Sequence, residues 1–258
     1  MPHLSLRRIV QILLATICVY AGYRLGRGHT SLKCNKRRVN QTRAEVTMSK
    51  RIDSCMRPLF QIHDDPNVVL IRNILSPSEC KELIELAGPL FKPSTVIGKT
   101  GMNVPNKGRT SHSAHLPGNH ALVQEVVRRC GVHSAVPTTH FESIQIVRYE
   151  PSQFYNIHHD GITALTDEQR DRLTREGQRL ETFFIYLNDM EPGETRGSTH
   201  FPELDDLKIK PECGTAVFWH NCMPGTENID KRMYHAGLPP LKSVKYGLNV
   251  WTRSKPRP

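Results

Sequence analysis

The first 44 residues contain no acidic side chain, and residues 1–57 contain only Glu45 and Asp53 against twelve Lys and Arg. The whole chain has 35 Lys and Arg and 25 acids, so residues 58–258 balance at 23 of each sign. The formal charge of +10 therefore belongs to the N-terminal stretch. That excludes charge-driven binding to phosphate backbones as the business of the remainder, and no nucleic-acid partner is expected. No CxxC pair occurs among the seven cysteines (18, 34, 55, 80, 130, 213 and 222), which argues against a structural zinc site. Seven cysteines in 258 residues also fall short of a disulfide scaffold. A bridge between Cys213 and Cys222 fits an oxidising compartment, although spacing leaves the connectivity open. No internal repeat is visible, so a solenoid or propeller is not expected.

Long hydrophobic runs are missing too. The apolar stretch at residues 9–23, just after Arg7 and Arg8, has fifteen residues, where a bilayer core asks for about 20. Two readings fit it: a short signal-anchor, or a signal peptide cut after Ala21 with Val19 and Ala21 as the small residues before the cut. The lack of acids also suits a mitochondrial presequence, but the uninterrupted apolar core argues against an amphipathic one. Asn40-Gln41-Thr42 is a glycosylation acceptor triplet just beyond the run. We expect residues 1–27 to act as signal-anchor or signal peptide, residues 28–60 as a basic stem, and residues 61–258 as one catalytic domain. That domain would lie in the lumen of the endoplasmic reticulum, membrane-associated through its N-terminus.

Ordered structure is expected from about Asn67. Val68 to Ile71 read as a strand. Ser76 is an N-cap, Pro77 occupies the first helical position and Glu79 completes a capping box. Leu83, Ile84, Leu86 and Ala87 supply the apolar stripe, and Gly88-Pro89 stop the helix. A second helix is expected from Asn119 to Cys130 on Leu122, Val123, Val126 and Val127. Beyond Pro137 the period becomes two: strands are expected at residues 144–149, 183–187, 214–219 and 246–251. Residues 167–176 are densely charged and read as a solvated helix or loop, placed where a lid could sit. Helices early and short strands late predict an α+β protein with a β-barrel-like core buttressed by the helices.

His158-His159-Asp160 follows the first period-two run. His235 lies 75 residues past Asp160, and Lys245 ten residues further on. A strand sends alternate side chains to one face, so His158 and Asp160 can share a ligand while His159 turns away. Two histidines and a carboxylate with open positions are the donor set of non-haem Fe(II) oxygenases. The same donors can hold zinc for a hydrolase, but that reading leaves the Lys245 spacing unexplained.

The surroundings are more specific. Arg148-Tyr-Glu-Pro-Ser-Gln-Phe-Tyr-Asn-Ile-His-His-Asp160 resembles the first metal motif of the prolyl 4-hydroxylases, a family of Fe(II)/2-oxoglutarate dioxygenases. Arg179-Leu-Glu-Thr-Phe-Phe-Ile-Tyr-Leu-Asn-Asp189 resembles the strand that follows, and Gly197-Ser-Thr-His-Phe-Pro202 the family's turn. Gly214-Thr-Ala-Val-Phe-Trp219 is similar to the strand before the distal histidine. The segment from His235 to Lys245, with Trp251 six residues on, resembles the closing motif. Arg109-Thr-Ser111 and the capped helix at Ser76 fit the N-terminal half. The likeness is collinear over about residues 66–254. The family's double glycine departs here into Gly193-Glu-Thr195 and Gly197-Ser-Thr199, so two threonines compete for one role; Thr199 is favoured because Phe201-Pro202 follow it.

This resemblance implies a double-stranded β-helix (jelly-roll) core. It implies iron held by His158, Asp160 and His235, and 2-oxoglutarate held by Lys245 with Thr199 and Tyr149. Tyr155, Trp251 and Arg109 would line the substrate's approach. The implied activity is procollagen-proline 4-dioxygenase-like: hydroxylation of peptidyl proline at C4 with O2 and 2-oxoglutarate, releasing succinate and CO2, with ascorbate restoring oxidised iron. Two alternatives stay open: an oxygenase of the same chemistry acting on another residue or a small molecule, and a non-catalytic binding module, against which the intact ligand set argues.

Overall fold

The computed structural model describes residues 58–97, 103–163 and 166–257. The apolar run at residues 9–23, the Asn40 triplet, Cys18, Cys34, Cys55 and nearly all of the expected stem lie outside them. Among the described residues no helix is long and apolar enough to cross a membrane.

Among the described residues, fourteen strands and three α-helices follow in order. They are β1 (Leu59–His63), β2 (Val68–Ile71), α1 (Pro77–Ala87), β3 (Lys92–Pro93), β4 (Thr95–Ile97), β5 (Asn103–Pro105), β6 (His112–His115), α2 (Ala121–Gly131), β7 (Gln145–Tyr149), β8 (Tyr155–His158), α3 (Asp167–Glu176), β9 (Arg179–Tyr186), β10 (Thr199–Phe201), β11 (Leu207–Ile209), β12 (Ala216–His220), β13 (His235–Gly237) and β14 (Lys245–Arg253). A large sheet runs β1-β2-β12-β9-β14-β7-β6-β3, and a small one runs β11-β10-β13-β8. Every pairing is antiparallel.

Period two along the central strands divides the molecule into two cores. Ile146, Phe183, Ile185, Ala216, Phe218, Leu248 and Val250 face one way, onto Leu83 and Ala87 of α1 and Val123 and Val126 of α2. The alternate residues Val147, Tyr149, Phe184, Tyr186, Val217 and Trp219 face the other way and meet Phe201, Ile209 and Met233 of the small sheet's side. Both faces of the large sheet are thus buried, one under helices and one inside a two-sheet shell. This is the double-stranded β-helix architecture expected from the sequence.

Local signals place the helices. Ser76 accepts from the Glu79 backbone while the Glu79 carboxylate accepts from the Ser76 N–H at 2.7 Å, closing the capping box. Thr166 and Gln169 form a second box that starts α3, a helix with no buried residue. Its burial pattern is that of a solvated helix, one of the two forms read for that stretch.

Two expectations are corrected. Pairing begins at Leu59 rather than near Asn67, because Leu59 and Phe60 of β1 bond to Ile71 and Leu70. As an edge strand with largely exposed side chains, β1 has no buried stripe to betray it. Cys213 does not face Cys222. Its thiol meets that of Cys80 on α1, whereas the Cys222 thiol reaches the Arg179 carbonyl at 3.7 Å. Extended β12 separates the two ends by roughly 3.3 Å per residue, which puts them out of bonding reach. Among the described residues Cys80, Cys130, Cys213 and Cys222 are all free.

Candidate active site

The antiparallel pairing of β8 with β13 sets His158 opposite His235. Asp160 follows two residues after His158 and returns to the same side. The three residues each offer one ligating atom, and those atoms lie within 4.8 Å of one another. The Nε2 atoms of His158 and His235 stand 3.7 Å and 3.8 Å from the two oxygens of Asp160.

Both imidazoles are oriented from behind. Nδ1 of His158 donates to the Asn156 carbonyl at 2.8 Å, and Nδ1 of His235 donates to the Met233 carbonyl at 3.0 Å. A proton held on Nδ1 leaves the Nε2 lone pair free toward the centre, the arrangement a metal-binding imidazole needs. His159 points away: it accepts from the Gly161 N–H and donates to the Asp230 carbonyl.

Burial and the neighbouring His235 hold the His158 imidazole down to about 3, against the pull of Asp160, so it is neutral at physiological pH. Burial works against ionisation of Asp160 as well, but His235, His158 and Arg179 outweigh it and keep that carboxyl below its usual range. Asp160 also accepts a hydrogen bond from the Thr182 hydroxyl at 2.9 Å. Thr182 in turn accepts from the Asn221 amide, whose oxygen accepts from the Trp219 indole, each at 2.9 Å. This relay fixes the carboxylate through three buried side chains.

Lys245 begins β14 and is 1 % exposed. Among the described residues its ammonium has no ion pair and no hydrogen bond. Its surroundings are the rings of Tyr149, Phe184 and Tyr186 at 5.4 to 5.6 Å. Burial pushes it down to about 7. An unpaired amine in such a place calls for an anion. Thr199 is buried on β10 and lines the same cleft. Its hydroxyl lies 2.8 Å from that of Tyr186, which is also 3.1 Å from the Ile209 carbonyl. Thr195 is exposed and does not line the cleft.

The cleft that contains these groups has a volume of about 1150 Å³. Tyr149, Tyr155, Trp251 and Arg109 all line it. Tyr155 stacks on His158 with ring centroids 3.5 Å apart, and the Arg109 guanidinium lies over the Tyr155 ring, 4.6 Å from its centroid. Arg109 is anchored by the Thr95 carbonyl and the Gln145 amide oxygen. The Trp251 ring carries the Arg179 guanidinium at 3.8 Å. Its buried indole N–H makes no hydrogen bond of good geometry, although it lies near enough to Asp160 to help lower that carboxyl.

Sequence reading did not single out Thr182, Tyr186, Asn221, Glu142 or Arg179 as individuals. Thr182 and Tyr186 share the inward face of β9 with Phe184, so their even spacing was a usable signal. Asn221, which lies just past the end of β12, had none.

The comparisons agree with this geometry. The family model described as the 2OG-Fe(II) oxygenase superfamily matches residues 144–253. Prolyl 4-hydroxylase 1 of Arabidopsis thaliana is 34% identical over 207 residues, covering 74% of this chain and 70% of that protein. Probable prolyl 4-hydroxylase 10 of the same plant is 32% identical, covering 73% and 69%. The chain belongs to the prolyl 4-hydroxylase family of 2OG-Fe(II) oxygenases. Among solved structures, the viral collagen prolyl hydroxylase of Paramecium Bursaria Chlorella virus-1, in its 2OG complex, is similar at a TM-score of 0.57 and 30% identity. The match covers 73% of this chain and 96% of the viral one.

The donor set fits the family's group. Two imidazoles with Nε2 turned to the centre and one ionised carboxylate suit Fe(II), and the unpartnered ammonium of Lys245 suits the distal carboxylate of 2-oxoglutarate.

Proposed function

We propose that this protein hydroxylates peptidyl proline at C4, using O2 and 2-oxoglutarate and releasing succinate and CO2. The observation that carries the reading is the pairing of one cleft's two ends: a two-histidine, one-carboxylate cluster and a buried, unpaired lysine. His158, Asp160 and His235 would hold the iron, which when bound supplies the redox chemistry that couples 2-oxoglutarate decarboxylation to oxidation of a C–H bond. Lys245 pairs with the cosubstrate's far carboxylate, Thr199 donates a hydrogen bond to it, and Tyr149 lines the same end. The Asn221–Thr182 relay holds Asp160 in place. Tyr155, Trp251 and Arg109 wall the approach, exclude water and seat the proline ring against aromatic faces. A proline-rich segment enters already extended, which lowers the entropy lost in threading a groove. Ascorbate serves to restore oxidised iron. The N-terminal segment is read as a membrane anchor or cleaved signal that delivers the catalytic domain to the lumen of the endoplasmic reticulum.

The test is mass spectrometry of (Pro-Pro-Gly)-type and Ser-Pro-type peptides after incubation with the protein, Fe(II), 2-oxoglutarate and O2. A gain of one oxygen on proline, with 4-hydroxyproline on amino-acid analysis, is expected for one of them. Succinate release without oxygen gain on any proline peptide would instead favour an oxygenase acting on another residue or a small molecule. No succinate under any condition would point to a binding module.

A further inference from the structure

The charges around the cleft do not balance. Asp160 and Lys245 are set aside, since they face the metal and the cosubstrate. Among the described residues, Glu142 and Glu176 are then the only acids that line the cleft. Four arginines converge on them. Arg179 binds Glu142 through two hydrogen bonds of 2.6 and 2.9 Å, and Arg253 binds it at 2.5 Å. Glu176 takes Arg172 and Arg253 at 3.1 Å and Arg257 at 3.6 Å. Arg253 is fully buried and does not itself line the cleft, so three lining guanidinium groups on two carboxylates leave a surplus of one positive charge. Arg109 adds a second, because both of its anchors, the Thr95 carbonyl and the Gln145 amide, are neutral. Lys92 adds a third; it lines the cleft, is exposed, and has no ion pair among the described residues.

The surplus is local rather than inherited from the chain, since residues 58–258 carry equal numbers of each sign. Partly enclosed walls focus such a field on whatever enters. Aromatic faces at Tyr155 and Trp251 suit a proline ring, and the cations around them suit carboxylates on its neighbours.

We propose that the preferred substrate is an acidic peptide, one with Asp or Glu flanking the target proline. This rests on the prolyl hydroxylation reading above and narrows it to a substrate class.

The experiment compares three peptides of one length around a single proline, flanked by Glu, by Gln or by Lys, on the full-length protein with Fe(II), 2-oxoglutarate and ascorbate. The Glu peptide is expected to exceed the Gln peptide in kcat/KM by about fivefold to tenfold, and the Lys peptide to be poorest. Raising ionic strength from roughly 0.05 M to roughly 0.5 M should shrink the gap, since exposed pairs are screened. Lys92→Glu should narrow the ratio of Glu to Gln peptide and raise turnover of the Lys peptide. Equal turnover of all three peptides at low salt, a gap indifferent to salt, or a ratio unmoved by Lys92→Glu would overturn the acidic preference while leaving proline hydroxylation standing. Failure of all three peptides and of the (Pro-Pro-Gly)-type and Ser-Pro-type peptides together would remove the hydroxylation reading itself, and this one with it.

Discussion

Replacing Lys245 by Met separates two opposite consequences of one buried charge. Burial lowers the amine from an ordinary 10.5 to about 7. At about 1.4 kcal/mol for each tenfold change in the proton equilibrium, that corresponds to about 5 kcal/mol against the charged form. The sign follows from proton binding. Between about pH 7 and about pH 10.5 the unfolded chain holds a proton that the folded one has released, so stability of the ligand-free protein rises with pH across that window. Below about pH 7 both states are protonated and the penalty is full and constant. Lys245→Met keeps most of the stem's volume and removes the charge. The ligand-free variant should therefore be more stable than wild type at pH 7, by about 2 to 4 kcal/mol after some loss of packing. It should also lose the alkaline rise. Cosubstrate binding should move the other way, weakening by more than about a hundredfold, because the distal carboxylate of 2-oxoglutarate would be buried without a cation. Urea unfolding of both proteins across that pH range, with anaerobic calorimetry of 2-oxoglutarate binding, reads both effects. Near pH 8 the wild type should also take up close to one proton on binding, since the carboxylate restores the amine's basicity; buffers of different ionisation enthalpy detect it. A variant that is less stable at pH 7 and binds 2-oxoglutarate within about threefold of wild type would refute the assignment.

Three further outcomes are expected. Thr182→Val removes the hydroxyl that holds Asp160 and should weaken Fe(II) or Co(II) binding by about 10- to 100-fold, with a stability loss of about 1 to 3 kcal/mol because the buried Asn221 amide also loses its acceptor; equal metal affinity in a direct titration would show the relay to be idle. Glu142→Gln leaves buried Arg179 without its carboxylate and Arg253 with Glu176 alone, and should destabilise the fold by about 3 to 5 kcal/mol. Burial opposes ionisation of Glu142, but Arg179 and Arg253 hold it down to about 2, so its contribution is full above 4.5 and is lost as pH falls toward 2; acid unfolding of the variant should lack that component. Gly214→Ala meets the Leu75 carbonyl oxygen at 2.1 Å from a backbone with φ of +76°, and should cost about 3 kcal/mol or more in thermal unfolding.

What was legible in the sequence divides by range along the chain. The Ser76 capping box is written in four consecutive residues, and its hydrogen bonds close within that span. The central strands announce themselves by alternation, because every second residue meets a different core. Strand β1 stayed hidden for the converse reason: an exposed edge strand imposes no pattern. Cys213 was misdirected toward Cys222 because nearness in sequence says nothing about an extended strand between them.

The active site follows the same rule with one exception. His158 and Asp160 are local neighbours, and the period of a strand is enough to aim them together. That His235 stands opposite His158 depends on the pairing of β8 with β13, and no local pattern carries it. Motif order supplied it instead. The groups that hold the site rigid have neither kind of signal. Thr182 reaches Asp160 across 22 residues, Asn221 reaches Thr182 across 39, and Arg253 reaches Glu142 across 111. Each is a polar residue on a strand or at the end of one, and its partner becomes known only when the sheets close. The chemistry of the cleft is therefore spelled by residues near one another or in a fixed order, whereas its orientation and surplus charge arise from contacts between segments that share no local pattern. That is also why the acidic preference of the cleft could not be read from composition: residues 58–258 are neutral in sum, and only folding brings four arginines onto two carboxylates.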